Sequence, residues 1–398
     1  MKDVELISSK KDVVCISVAN RIDSVNSEHY HELLSKLRTE NPQGRLEINC
    51  AALEYISSAG LRVLMKIAKD EASDHKIRIT DVSTEVYEIF NVTGFTEIFE
   101  IRKAFRNISV DGCEIIGKGA NGTVYRLDAE TIVKVFNEEM PLDDIEKERE
   151  VSKQAFIKGI ETAIAFDTVK VGNCYGVVFE LLNSDSLSST IKNNPEHFDG
   201  YAEKYVGMYK KLHSTTVDTD KIPSCKEKYL YYIDGCADWY TEEELNKLRY
   251  LINSIPDRCT LIHGDYHPHN IMVQNGNIVL IDMGDMSYGH PVFDFISTAS
   301  TQANLLDLNP DFAEIHTGMP REMIRKLWYA LLNRYFSDKM PEEIDRIDKQ
   351  VRILSKLKVG MAPVIARGIP LELIKGSVED TRQNLIPYID SLVNTIDW

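Results

Sequence analysis

The chain reads as two units in series: a small α/β sheet domain, then an α+β bilobal unit whose second lobe is largely helical. Three observations lead there. Strand-like and helix-like patterns alternate through the first hundred or so residues. Around Asn107–Gly112 polar residues and a glycine interrupt that pattern, and a second run of strands follows. Past Asn183 helical stripes dominate. The expected divisions are 1–107, 108–183 and 184–398.

In the first unit Val13 to Val18 reads as a strand, and Tyr30, Leu33, Leu34 and Leu37 share one helical face. Leu46, Ile48 and Cys50 alternate with polar residues, as a half-buried strand does. A helix carrying Leu61, Leu64, Met65 and Ala68 opens after Ser57-Ser58-Ala59-Gly60. Ile77 and Ile79 mark a further strand, and helical patterns are expected around Val86–Phe90 and Phe95–Phe105. In the second unit strands are expected at Glu114–Ile116, Thr123–Leu127, Thr131–Phe136, Ala163–Val169 and Tyr175–Glu180. A charged helix runs from Leu142 to about Phe156. Asn183-Ser184-Asp185-Ser186 is a run of turn formers, read as a hinge. Tyr201, Tyr205, Met208, Tyr209 and Leu212 form one helical stripe, and Ile324, Leu327, Trp328 and Leu331 another. Both are read as core.

The 398 residues are 43% hydrophobic and 27% charged, enough to bury a sizeable core. The net charge of −16 argues against nucleic acid or an anionic membrane as partner, because neutralising phosphates needs a basic face. Seven cysteines without a Cys-x-x-Cys pair fit reduced thiols and a cytoplasmic setting better than a disulfide framework. No run approaches the ~20 apolar residues of a membrane span, and the N-terminus lacks the apolar core of a signal peptide.

Gly117-Lys118-Gly119-Ala120-Asn121-Gly122 is a G-x-G-x-x-G run between two strands. A glycine loop joining strands can fold over phosphates and offer backbone N–H groups with little side chain in the way. The next strand carries Lys134 between apolar neighbours. It is either a snorkelling surface lysine or a cation aimed at phosphates, and its place one strand after the loop favours the second. A carboxylate partner is expected from the following helix, which offers Glu146, Glu148 and Glu150. Glu148 is chosen because it shares a side with Ile145, Ser152 and Phe156.

His263-Gly264-Asp265-Tyr266-His267-Pro268-His269-Asn270 follows an apolar run and, given Pro268, must be a loop. Asp265 and Asn270 are five residues apart, so one carboxylate can meet an acceptor hydroxyl while the amide binds a divalent ion. A hairpin turning at Asn275-Gly276 would bring Asp282 back beside Asn270, where both can share that ion. The rival reading takes His263, His267 and His269 as transition-metal ligands, which leaves the glycine loop and Lys134 without a role. His263 is read instead as a support for the loop backbone. Asp294 is read as a helix N-cap, with a hydrogen bond to the catalytic loop as the alternative.

The ordered set Gly117, Gly119, Gly122, Lys134, Glu148, His263-Gly264-Asp265 with Asn270, and Ile281-Asp282 resembles the aminoglycoside phosphotransferase and choline-kinase-like branch of the protein-kinase-like fold, over about 108–398. Leu212-His213 fits the same family. The resemblance implies ATP (or another nucleoside triphosphate) and Mg2+, with a small-molecule hydroxyl as acceptor. Asp265 would be the base or positioner, Asn270 and Asp282 the metal ligands, and Lys134 the phosphate contact. The nucleotide base would sit near Glu180 and Leu182. No Ala-Pro-Glu motif follows Asp282, which favours a small acceptor over a peptide.

Tyr55-Ile56-Ser57-Ser58-Ala59-Gly60-Leu61-Arg62-Val63-Leu64, with Arg21-Ile22-Asp23, resembles STAS domains of the anti-sigma-factor-antagonist type. That resemblance implies a protein partner, and Ser58 as a residue that can accept phosphate. Ser57 or Ser58 could equally serve as a plain helix cap. The expected whole is an α/β STAS domain followed by an α+β bilobal protein-kinase-like domain, with the first regulating or localising the second. Two alternatives stay open. One is a protein kinase acting on a STAS serine, in cis or in trans. The other is a non-catalytic nucleotide-sensing module.

Overall fold

The computed structural model describes residues 2–10, 12–71, 76–119, 121–308, 310–365, 370–393, 395–396 and 398. The chain divides into two compact units, 1–107 and 108–398. Each is described by itself.

The first unit is a five-stranded sheet in the order β1-β2-β3-β4-β5, formed by Val4–Ser9, Val13–Ile22, Arg45–Ile56, Arg78–Val82 and Glu100–Lys103. β1 is antiparallel to β2, and the remaining neighbours are parallel. Helices α1 (Ser27–Glu40), α2 (Ser58–Asp70) and α3 (Thr84–Val92) join the parallel strands, because a parallel neighbour needs a crossover. Ile16, Ile48 and Ile79 share one core with Tyr30 and Leu34 of α1, Leu64 and Ile67 of α2, and Phe90 of α3. The Tyr30 hydroxyl enters that core only because it donates to the Ala19 carbonyl at 2.7 Å.

Two expectations for this unit change. Phe95–Phe105 is not one helix: Phe95–Ile98 is a single helical turn (α4), and Glu100–Lys103 is the edge strand β5. Phe99 is buried at the junction and stacks on Phe95, so an apolar spacing that suits a helix is shared between two elements. The edge strand Val4–Ser9 is not announced by its sequence at all.

The second unit opens with an antiparallel sheet whose strands run, in spatial order, Ala165–Val171, Cys174–Glu180, Thr131–Phe136, Gly122–Arg126 and Ile115–Gly119. Helix Leu142–Ile157 packs on it through Ile145, which shares a small core with Phe136 and Val177. Phe156, expected on that inner side, is 49% exposed, so the buried stripe ends before the last helical turn. The turn formers read as a hinge are partly structured. Asp185–Ser186 pairs with Val273 and Met272, and Ser186 caps helix Leu187–Asn193 by accepting from the Ser189 N–H.

The rest is mainly helical. Phe198–Ser214 and Arg321–Tyr335 carry the two predicted stripes. Tyr205, Tyr209, Leu212, Leu327, Trp328 and Leu331 are fully buried in the largest core. Two short ladders lie among the helices. Ile271–Gln274 pairs with Asn277–Leu280, and Thr260–Ile262 pairs with Ser287–Gly289. They frame the segment 263–270 from both sides. Among the described residues no helix is long and apolar enough to cross a membrane.

Candidate active site

The glycine loop closes a tight hairpin in which Gly119 stands opposite Gly122. Its glycines serve different ends. A Cβ on Gly122 would lie 2.2 Å from the Val135 carbonyl oxygen, so strand pairing itself demands glycine there. A Cβ on Gly119 would meet nothing within 4 Å, so this position is open to a ligand. Ala120 lies outside the described residues.

Lys134 points from the central strand to two carboxylates, with Nζ 2.7 Å from Glu148 Oε1 and 2.9 Å from Asp282 Oδ1. Burial alone would lower the lysine pKa. Asp282 and Glu148 outweigh burial and hold it up at about 12, so the ammonium stays charged. The rival glutamates are engaged along their own helix: Glu146 with Arg149 at 3.0 Å, and Glu150 with Gln154 at 2.6 Å. Gly284 leaves the room Glu148 needs, since a Cβ there would lie 2.8 Å from Glu148 Oε2.

The segment 263–270 is a loop ending in a one-turn 3-10 helix, Pro268–Asn270. Gly264 has φ +82°, and a Cβ there would lie 2.6 Å from the Asp285 carbonyl oxygen. Asn270 Nδ2 donates to the carbonyl and to Oδ2 of Asp265, both at 3.2 Å, which leaves the amide oxygen as its ligand face. The hairpin returns as expected. Ile281 N–H donates to the Asn270 carbonyl at 3.0 Å, so Asp282 follows directly on a residue bonded to Asn270. Asp282 sits at φ +58°, a left-handed conformation that aspartate tolerates better than most residues.

Asp294 corrects an expectation. It is not an N-cap. Pro291 is already helical (φ −50°, ψ −27°), so Asp294 lies inside helix Val292–Ala299 and is fully buried. Its carboxylate accepts from the His263 N–H at 2.9 Å and the Gly264 N–H at 2.7 Å, and lies 3.0 Å from His213 Nε2. His213 Nδ1 is in turn 2.9 Å from the Tyr335 hydroxyl. Burial pushes Asp294 up, but His213, His263 and the loop N–H groups together hold it below the usual carboxylate range. His263 supports the loop as expected, accepting from the Asp265 N–H at 3.3 Å through Nδ1.

His290, just before that helix, is buried, and its Nδ1 accepts from the Val292 N–H at 3.1 Å. Burial, with help from Arg258, His213 and Lys226, lowers its pKa from 6.5 to about 4. The unfolded chain therefore takes up this proton first, and stability is lost as pH falls from 6.5 towards about 4. His290→Asn keeps an acceptor without the titration. It is expected to remove about 2 kcal/mol of that loss, after allowing for residual hydration. Thermal melts across the window check this, and a variant falling as steeply as the wild type would contradict it.

Sequence reasoning missed two lysines near the loop that carries Asp265. Lys228 is paired with Asp285. Lys358 donates to the Gly264 carbonyl at 3.0 Å and to Ser297 Oγ at 2.6 Å, with Nζ 3.8 Å from Asp265 Oδ1. His267 also stands here, with Nε2 3.4 Å from Asp265 Oδ2. Among the described residues His263, His267 and His269 join no cluster able to hold a metal ion. Of the residues expected near a nucleotide base, Glu180 is engaged at both ends: its carboxylate accepts from the Ile164 N–H at 2.8 Å, and its own N–H donates to the Ile164 carbonyl at 3.1 Å. Leu182 accepts from the Ser184 N–H.

Two family models match the chain: the phosphotransferase enzyme family over residues 112–321, and the STAS domain over residues 7–108. The first spans more than half of the sequence. The chain belongs to the phosphotransferase enzyme family and carries a STAS domain in front of the matched region. BtrV of Bordetella bronchiseptica, which bears the name anti-sigma factor antagonist, is 32% identical over 80 residues, 19% of this chain and 69% of BtrV. Among solved structures, the streptomycin–ATP ternary complex of APH(2'')-IIa is 16% identical with a TM-score of 0.45, covering 77% of this chain and 98% of that one. Choline kinase LicA from Streptococcus pneumoniae is 13% identical with a TM-score of 0.40, covering 75% and 100%.

Proposed function

We propose that the second unit transfers the terminal phosphoryl group of ATP, as its magnesium complex, to a hydroxyl of a small molecule. The observation that carries this reading is the convergence of Lys134, Glu148 and Asp282 with Asp265 and Asn270 at the open end of one hairpin. Lys134, held charged, would exchange Asp282 for phosphate oxygens while Glu148 keeps it aimed. The amide oxygen of Asn270 and the carboxylate of Asp282 are hard oxygen donors of the kind magnesium takes beside nucleotide phosphates. Bound magnesium would neutralise charge on those phosphates. Asp265 would orient the acceptor hydroxyl and take its proton. Gly119 would let the backbone close over the phosphates.

A small acceptor is favoured by the short segment after Asp282. It holds one 3-10 turn, Met283–Asp285, and one strand, Ser287–Gly289, before Asp294. That leaves little chain for a peptide platform. The test is ATP consumption by the full chain across hydroxylated metabolites and aminoglycosides, with Asp265→Ala as control. Consumption that no acceptor stimulates, or that persists in the variant, removes the reading.

A second reading makes Ser58 an acceptor, in cis or in trans. Ser57 is the helix cap, accepting from the Ala59 N–H at 3.2 Å and the Gly60 N–H at 3.4 Å. Ser58 is therefore released from that duty, and it is exposed at the first position of α2, where a phosphate meets the positive helix end. Gly60 fixes this geometry, since a Cβ there would lie 2.7 Å from Ile56 Cγ1. Mass spectrometry after incubation with ATP decides, and an unmodified Ser58 ends this second reading.

A further inference from the structure

We propose that Lys358 is a catalytic residue that contacts the phosphoryl group in transit, a role that rests on the phosphotransferase reading. Lys358 belongs to helix Lys356–Gly360, far along the chain from every motif that marks the site. Its ammonium nevertheless reaches the catalytic loop and stands 3.8 Å from Asp265 Oδ1, on the oxygen opposite the one that faces His267. Two of its three N–H bonds are directed by the Gly264 carbonyl and Ser297 Oγ, and the third remains on the side of the Asp265 carboxylate. Its side chain keeps 25% exposure, so a ligand can reach it. Lys228, the other lysine on this side, is committed to its ion pair with Asp285.

An acceptor oxygen held by Asp265 must stand ~3–3.5 Å from the phosphorus it attacks. A cation anchored beside that carboxylate therefore lies within reach of the non-bridging oxygens. In the transfer, the bond from the terminal phosphorus to the bridging oxygen breaks, and its electron pair stays on ADP. The bond from phosphorus to the acceptor oxygen forms, and the acceptor's proton passes to Asp265. Lys358 donates a hydrogen bond to a non-bridging oxygen and exchanges no proton. It would act from the acceptor side as Lys134 acts from the nucleotide side, where charge-assisted contacts to the phosphoryl oxygens lower the barrier most.

The experiment compares binding of AMP-PNP and ADP, each with magnesium, to the full wild-type chain and to Lys358→Met, which keeps the stem and loses the charge. The expected result is about tenfold weaker AMP-PNP binding in the variant, the size of one charge-assisted hydrogen bond, with ADP binding unchanged. In the wild type, AMP-PNP with magnesium should also protect Lys358 from acetylation, read by mass spectrometry, where ADP does not. This second measurement stands whether or not the variant folds. Equal loss of both nucleotides, no loss of either, or no protection overturns the inference while leaving the phosphotransferase reading intact. A wild type that binds neither nucleotide overturns both.

Discussion

Asp265→Asn is expected to lower phosphoryl transfer by about 10²–10⁴-fold, the usual contribution of a positioned general base. Nucleotide affinity should stay within about twofold. The reasons are geometric. Asp265 is placed by the His263 imidazole through its N–H, and by Asn270 Nδ2 through its carbonyl and Oδ2. An asparagine can keep an oxygen facing Asn270, so the loop should retain its shape. What goes is the negative charge that orients the hydroxyl and receives its proton. Steady-state rates with the acceptor found by screening, set beside a thermal melt, separate chemistry from folding. A variant with an unchanged melt and an unchanged rate would show that Asp265 is not the residue that meets the acceptor.

Asp294→Ala is expected to be the most damaging single substitution for the second unit. It removes the common acceptor of two loop N–H groups and of His213, in a place with no exposure. Breaking a buried charged network by deleting one partner costs about 3–5 kcal/mol, which corresponds to a fall of roughly 5–8 °C in melting temperature for a unit of this size. The rate should fall with it, because the N–H groups that Asp294 fixes belong to the residues immediately before Asp265. Asp294→Asn should be intermediate, since one oxygen survives while His213 loses its charged partner. Differential scanning of the full chain measures this. A loss under about 1 kcal/mol, the size of a surface contact, would mean that the loop is held by other contacts.

Asp265 and Asp294 differ in how far their sequence reveals them. Asp265, Asn270 and Asp282 are legible because local spacing links them: a proline-locked loop and a hairpin of two short strands bring them together almost without help from the rest of the fold. Lys134 and Glu148 are legible for a related reason, a strand and the helix after it. Glu148 stands out only because its side is the buried one, although Phe156 proves a poor witness for that side. Asp294 is visible as a residue but not in its role. An aspartate shortly after His290-Pro291 has the look of a cap, and only the helical backbone of Pro291 shows that the helix has already begun.

Lys358 and Lys228 are out of reach for a different reason. Nothing in their local sequence sets them apart from other surface lysines, and only tertiary packing brings Lys358 to Gly264 and Ser297. The STAS unit follows the same division. Its signature is legible because Gly60 must be small where α2 approaches Ile22 and Ile56. Its edge strands are not, because Val4–Ser9 and Glu100–Lys103 bury few side chains and so carry little pattern.

In the proposed reaction Asn270 and Asp282 hold a divalent ion that couples ATP to the site. Calorimetric titration of ATP into the full chain, with and without magnesium, tests that coupling most directly. Wild type should bind ATP at least about tenfold more tightly with magnesium, and Asp282→Ala should lose that gain while keeping its fold. Equal ATP affinity with and without magnesium in the wild type, or a gain that survives in Asp282→Ala, would contradict the proposed metal site.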